Sequence, residues 1–206
     1  VNFFNFFVAY VAQKMGFTIG IFVFETNEND ILHRFFTSGD YSRGTTHFTT
    51  TPAMDIQVAS NFERLLYYRV SGDAGRVTRY MNEFAESGKV VLEDLETDDL
   101  FLSTSVSSSE SLEIIQDVKD KYDYVLDPHS AVGYTAATQF MSIIGQPIVA
   151  VATAHPAKFP EALALAGIDP VSIHPKLEAL KGMPIRRELM LPEEDTIKEF
   201  IVTSVG

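Results

Sequence analysis

Three short stretches place hydroxyl or carboxamide groups directly after apolar runs. In "VAVATAHPAKFPE" (149–161) the apolar run stops at Thr153 and gives way to His155, Pro156 and Lys158. "TIGIFVF" (18–24) leads into "ETNEND", which carries Asn27 and Asn29, and "LFLS" leads into "TSVSSSE". Such groups accept or donate hydrogen bonds without carrying charge, so they suit the binding of a polar ligand. Taken singly, each also suits a turn or a helix cap. Their coincidence at three strand ends favours a ligand, because open α/β sheets bind ligands at the carboxyl ends of their strands. His155-Pro156 reads as a turn and Lys158 as a solvent-facing lysine. Asn27 and Asn29 read either as groups near a ligand or as caps. His33 and His129 lie among apolar neighbours on expected helices and read as structural. No spacing of His, Asp and Glu suggests a metal site.

The elements that must position these groups follow from local pattern. Five aromatic residues in the first ten, ahead of Gly16, fit a helix. The run 18–24 and the run "PIVAVAT" (147–153) read as buried strands, since continuous apolar, β-branched runs suit a sheet covered on both faces. Ser60 and Glu63 have capping-box spacing, with Phe62, Leu65 and Leu66 as an inward face. Val77, Tyr80, Met81 and Phe84 recur at helical spacing before a stop at Gly88. Ser107 and Glu110 offer a second capping box, with Leu112, Ile115, Val118 and Tyr122 behind it. Asp127 is placed as an N-cap with Pro128 at the first helical position. Helices alternating with apolar strands define an α/β class with a largely parallel twisted sheet flanked by helices.

Composition narrows the partners. The 206 residues are 46% hydrophobic, enough for a packed core, and carry a formal net charge of −12 with a pI near 4.7. That charge repels nucleic acid and anionic lipid surfaces. The chain has no cysteine, which fits a reducing, cytoplasmic setting. "VNFFNFFVAYVAQKMG" has no initiator Met and no basic flank, and Lys14 interrupts it, so it reads neither as a signal peptide nor as a membrane span. It reads as the interior of a longer protein, with upstream residues expected.

Four longer motifs, "TNENDILHRFFTSGDYS", "TPAMDIQVASNFERLL", "YVLDPHSAVG" and "ATAHPAKFPEA", occur in order. In sequence and spacing they resemble threonine synthases of the longer bacterial and fungal type, over residues 2 to about 200. The resemblance implies a pyridoxal-phosphate enzyme of the tryptophan-synthase-β type, fold type II, that converts O-phospho-L-homoserine and water into L-threonine and phosphate. It implies that this chain is the C-terminal, cofactor-binding portion. Thr153 then falls where the family hydrogen-bonds the pyridine nitrogen of the cofactor.

The family's phosphate-binding loop aligns with Val1, Asn2, Phe3, Phe4 and Asn5. Asn2, Phe3 and Asn5 match it, whereas Val1 and Phe4 stand where the family has glycine. Either the phosphate grip is impaired or these first residues are not those of the intact gene. The family's Schiff-base lysine motif is absent, so no catalytic residue is assigned and the chain alone is expected to be inactive. The partners implied are the phosphorylated substrate and an N-terminal portion of the same protein. Two alternatives remain: a catalytically silent relative that binds a phosphorylated ligand, and a related lyase acting on another phosphorylated amino alcohol or acid.

Overall fold

The computed structural model describes residues 3–92, 100–145, 147–169 and 174–205. The chain divides into two compact units, Val1–Ser172 and Ile173–Gly206.

The first unit is mixed α/β. Helix α1 (Phe4–Lys14) is followed by strand β1 (Phe22–Thr26), α2 (Ile31–Ser38), β2 (Asp40–Ser42), α3 (Phe62–Arg69), α4 (Ala74–Ser87) and β3 (Lys89–Val91). Next come β4 (Phe101–Ser105), α5 (Ser108–Tyr122), α6 (Pro128–Ile144) and α7 (Pro160–Leu165). Strands β1 and β4 pair in parallel, from Phe22 opposite Phe101 to Thr26 opposite Ser105. Strands β2 and β3 form a separate antiparallel pair.

Alternation along β1 decides what each face meets. Phe22 and Phe24 are buried against Phe3, Phe6 and Phe36, in a cluster whose ring centroids lie 5.0–6.2 Å apart. Val23 and Glu25 alternate to the opposite face, where α6 packs on β1 and Glu25 lies beside Gly133. Behind α6, Ile115 and Val118 of α5, Ala131 of α6 and Leu163 of α7 form a second core.

Local chemistry sets several helix boundaries. Ser107 and Glu110 form the expected reciprocal capping box at α5. Asp127 caps α6 by accepting from the backbone N–H groups of His129 and Ser130. Gly88 closes α4 at a φ of +71°, where a side chain would be strained.

Two expectations are corrected. The box at Ser60 and Glu63 does not form: α3 starts at Phe62, with Asn61 at the cap position and no side-chain capping bond. Tertiary contacts fix that entry instead, because Tyr41 stacks on Phe62 at 4.0 Å and its hydroxyl accepts from the Ala59 N–H at 3.0 Å. The run 147–153 is not a buried strand, since no described strand pairs with it and Val149 is 86% exposed. An apolar sequence favours burial, but a strand forms only when another strand supplies hydrogen-bond partners.

The second unit contains α8 (Pro175–Glu178) and α9 (Glu194–Val205). Its described side chains are mostly exposed, including Ile185, Leu189 and Leu191. No described helix is long and apolar enough to cross a membrane.

Candidate functional site

A cavity of about 780 Å³ lies in the first unit. Phe3 and Asn5 at the start of α1, residues 18–25 leading into and along β1, and Met54 form part of its wall. His129, Gly133 and Ala137 of α6 and the segment from Pro147 to Thr153 contribute the rest. Its volume suits a small-molecule site, and its lining is mainly apolar with a few polar groups.

Thr153 is one of several described residues with an unanswered buried polar atom, and with His129 it is one of two such residues on this cavity wall. Its Oγ1 is buried and has no hydrogen-bond partner. Its backbone N–H donates to Ser130 Oγ at 3.4 Å, which ties the end of the apolar run to the first turn of α6. Ser130 in turn donates its hydroxyl to Asp127. Burial pushes the Asp127 carboxyl up, but hydrogen bonds from His129 and Ser130 outweigh it and hold the group below the usual carboxylate range. A cap held ionised at neutral pH therefore anchors the turn that positions Thr153.

His129 packs against Phe159, with ring centroids 4.8 Å apart, and its Nε2 accepts from the Ala53 N–H at 3.3 Å. Its Nδ1 lies 3.3 Å from Asp127 Oδ1 but outside hydrogen-bonding geometry. Glu25 is the other ionisable residue on the wall. Burial raises its carboxyl to about 7, against a smaller opposing contribution from a backbone hydrogen bond at its own residue.

The start of α1 brings a further feature. Phe3 occupies the cap position without a side-chain capping bond, and the first turn holds no acidic residue. Unanswered backbone N–H groups and the positive end of a helix favour an anion at such a place.

Of the residues singled out in the sequence, Phe3, Asn5 and Thr153 therefore line one cavity. Phe3 is also a core residue, whereas the Phe4 side chain is 56% exposed and is not on the wall. Val1 and Asn2 lie outside the described residues.

Asn27 and Asn29 are held elsewhere, in a buried polar network. The Asn27 amide nitrogen lies 2.7–2.8 Å from Thr49 Oγ1, Thr51 Oγ1 and Asp55 Oδ1. Asn29 bonds to Asn27, to both backbone groups of His47 and to Gln57. Neither caps α2, which starts after Asp30. His155 accepts from the Ala157 N–H and shapes the turn before α7, and Lys158 is exposed. His33 bonds to Ser103 Oγ at 3.0 Å.

Sequence reasoning overlooked Glu25, although a carboxylate closing the apolar run "IFVF" was a visible signal. Gly133 was also overlooked: a Cβ there would meet Glu25 Oε1 at 3.6 Å.

Comparisons with known proteins bear on this geometry. A family profile for threonine synthase, C-terminal, matches residues 130–201. A threonine synthase from Pseudomonas aeruginosa is 41% identical over 170 residues, covering 81% of this chain and 36% of that protein. The chain belongs to the threonine synthase family. A threonine synthase from Methylobacillus glycogenes is 35% identical and covers 99% of the chain, which spans 44% of that relative. The crystal structure of threonine synthase from Brucella melitensis, with pyridoxal phosphate bound, superposes with a TM-score of 0.83 at 33% identity. It covers 97% of this chain, and the chain covers 44% of it. The chain thus spans less than half the length of these threonine synthases.

Proposed function

We propose that this chain is the C-terminal, cofactor-holding portion of a cytoplasmic threonine synthase. In the intact enzyme, O-phospho-L-homoserine and water become L-threonine and phosphate with pyridoxal phosphate as cofactor. The observation that carries the reading is the orphaned, buried Thr153 hydroxyl on the wall of a cavity of small-molecule size.

The residues present fit the cofactor. Thr153 Oγ1 is free to bond the pyridine nitrogen, and the uncapped start of α1 beside Asn5 suits its phosphate. Bound pyridoxal phosphate supplies the electron sink for elimination and replacement.

The protein's own part is positional. Thr153 offers a neutral hydroxyl, so it orients the ring without imposing the protonation that a carboxylate would favour. The bonds from the Asp127 cap through Ser130 to the Thr153 backbone fix that hydroxyl relative to α6. Phe3 and Met54 present apolar surface that excludes water and strengthens polar contacts within the cavity.

Among the described residues the lining contains no lysine or arginine. In this reading, as the family resemblance implies, the lysine that carries the cofactor and the groups that hold the substrate phosphate come from an N-terminal portion of the same protein. That portion would also give the exposed apolar run 147–153 a strand to pair with.

Activity of the full-length protein on O-phospho-L-homoserine tests the reading. Equal release of threonine and phosphate, dependent on pyridoxal phosphate, is expected. Turnover of a different phosphorylated amino acid, or cofactor binding without turnover, would replace it with one of the two alternatives.

A further inference from the structure

His129 stands where three segments that build the cavity meet. The residue is 4% exposed and lines the cavity from the first turn of α6. Its Nδ1 lies 3.3 Å from Asp127 Oδ1. Its Nε2 accepts from the Ala53 N–H at 3.3 Å, in the short helical turn Pro52–Met54 that brings Met54 to the wall. Its ring packs against Phe159, with centroids 4.8 Å apart. Phe159 ends the turn Pro156–Lys158, which follows Thr153.

The bond from Ala53 decides how the ring is held. A nitrogen that accepts an N–H cannot itself carry a proton, so Nε2 is bare and the ring proton sits on Nδ1. An Nε2–H, whether in the other neutral tautomer or in the imidazolium, would set two donors against each other. The Nδ1–H then lies on the side of the Asp127 carboxylate, near it without forming an aligned hydrogen bond. Held between Ala53 and Asp127, the imidazole presents a fixed surface to Phe159.

The segment carrying Thr153 has little else to fix it. One long hydrogen bond, from the Thr153 N–H to Ser130 Oγ at 3.4 Å, ties it to α6, and no described strand pairs with the run before it. A single tether fixes a point but leaves the direction of the hydroxyl open. Phe159, six residues farther along, gives the segment a second attachment to the same helical turn. We propose that His129 is a positioning residue for the Thr153 hydroxyl: its ring, oriented by Ala53 and Asp127, braces Phe159 and so sets the direction of the 153–159 segment on α6. The inference rests on the cofactor reading given above and adds to it the group that aims the hydroxyl.

The test uses the full-length protein in two arms. In the first, long-range proton–nitrogen NMR of cofactor-free wild type reads the His129 tautomer at neutral pH, with the signals assigned by their loss in His129→Gln. A protonated Nδ1 and a bare Nε2 are expected. A proton on Nε2 overturns the proposal whatever the cavity binds.

In the second arm, fluorescence titration gives pyridoxal phosphate dissociation constants for wild type, His129→Gln, His129→Phe, Thr153→Val and the double variant His129→Gln with Thr153→Val. Glutamine can still accept from Ala53 but offers Phe159 no ring, and affinity is expected to fall about tenfold. Phenylalanine keeps the ring and strands the Ala53 N–H, so it should bind within about threefold of wild type while melting at a lower temperature. With Thr153→Val already in place, His129→Gln should add little, because no hydroxyl is left to aim. Phe159→Leu breaks the same contact from its other side and should show the same dependence on Thr153, which keeps the test open if His129→Gln does not fold. Losses that simply add in the two backgrounds, or a His129→Phe protein that binds no better than His129→Gln, overturn the positioning role and leave the cofactor reading intact. Native affinity of Thr153→Val overturns both.

Discussion

At the carboxyl end of β1, the buried Asn27 carboxamide sits among Thr49, Thr51, Asp55 and Asn29, with both its nitrogen and its oxygen engaged. At the end of the 147–153 run, the Thr153 hydroxyl is also shielded from solvent and meets no partner. Both are polar groups at the ends of apolar runs, and the sequence gives them the same appearance. A folded chain rarely leaves a buried polar atom unanswered, because desolvation without a hydrogen bond costs about 1–3 kcal/mol. The satisfied group is therefore read as architecture, and the unsatisfied one, because it also lies on the cavity wall, as a group kept for a ligand. The segment leading to Thr153 exposes Val149 and Val151.

The contrast can be broken first where it is strongest. Asn27→Ala removes the hub that donates to Asp55 Oδ1 and two threonine hydroxyls, leaving them with their bonds to one another and to Asn29. A loss of about 3 kcal/mol of stability is expected by denaturant unfolding of the full-length protein. Pyridoxal phosphate affinity of the remaining folded protein should be nearly unchanged. A large loss of affinity with native stability would place Asn27 at the ligand and erase the distinction.

Glu25→Gln gives a pH-dependent effect. The Glu25 carboxyl ionises near 7 in the folded protein and near the ordinary value when unfolded. The folded state therefore binds the proton more tightly, and wild-type stability is highest below the unfolded value. It declines as pH rises through the interval up to about 7. Glutamine does not titrate, so above that interval the variant should be the more stable by up to about 3 kcal/mol, with the difference vanishing below about pH 4. Melting curves of both proteins across that range check the sign. A constant difference would show that Glu25 is not strained by ionisation.

These residues also show what the sequence made legible. The caps at Ser107 and Asp127 lie within three residues of the groups they bond, so spacing alone identified them. The Asn27 network closes over 22 to 28 residues, and no local pattern announces such partners. The apolar run 147–153 was legible as a segment needing burial, but not as a strand, because pairing depends on another segment. At Ser60 the capping-box spacing was outweighed by the Tyr41–Phe62 stack. The end of an apolar run drew attention to Thr153 and family resemblance gave it a role, and the structure added what neither could: a hydroxyl that is buried and unbonded.

The central claim is that the Thr153 hydroxyl serves a ligand. Thr153→Val keeps the shape and removes the oxygen, and since that oxygen has no partner in the protein, stability should change by less than about 1 kcal/mol or even rise. Titration of the full-length variant with pyridoxal phosphate is the direct measurement. A roughly tenfold to hundredfold weaker dissociation constant, equivalent to about 1–3 kcal/mol, is predicted alongside an unchanged melting temperature. Native affinity, or a lowered melting temperature with native affinity, would contradict the assignment.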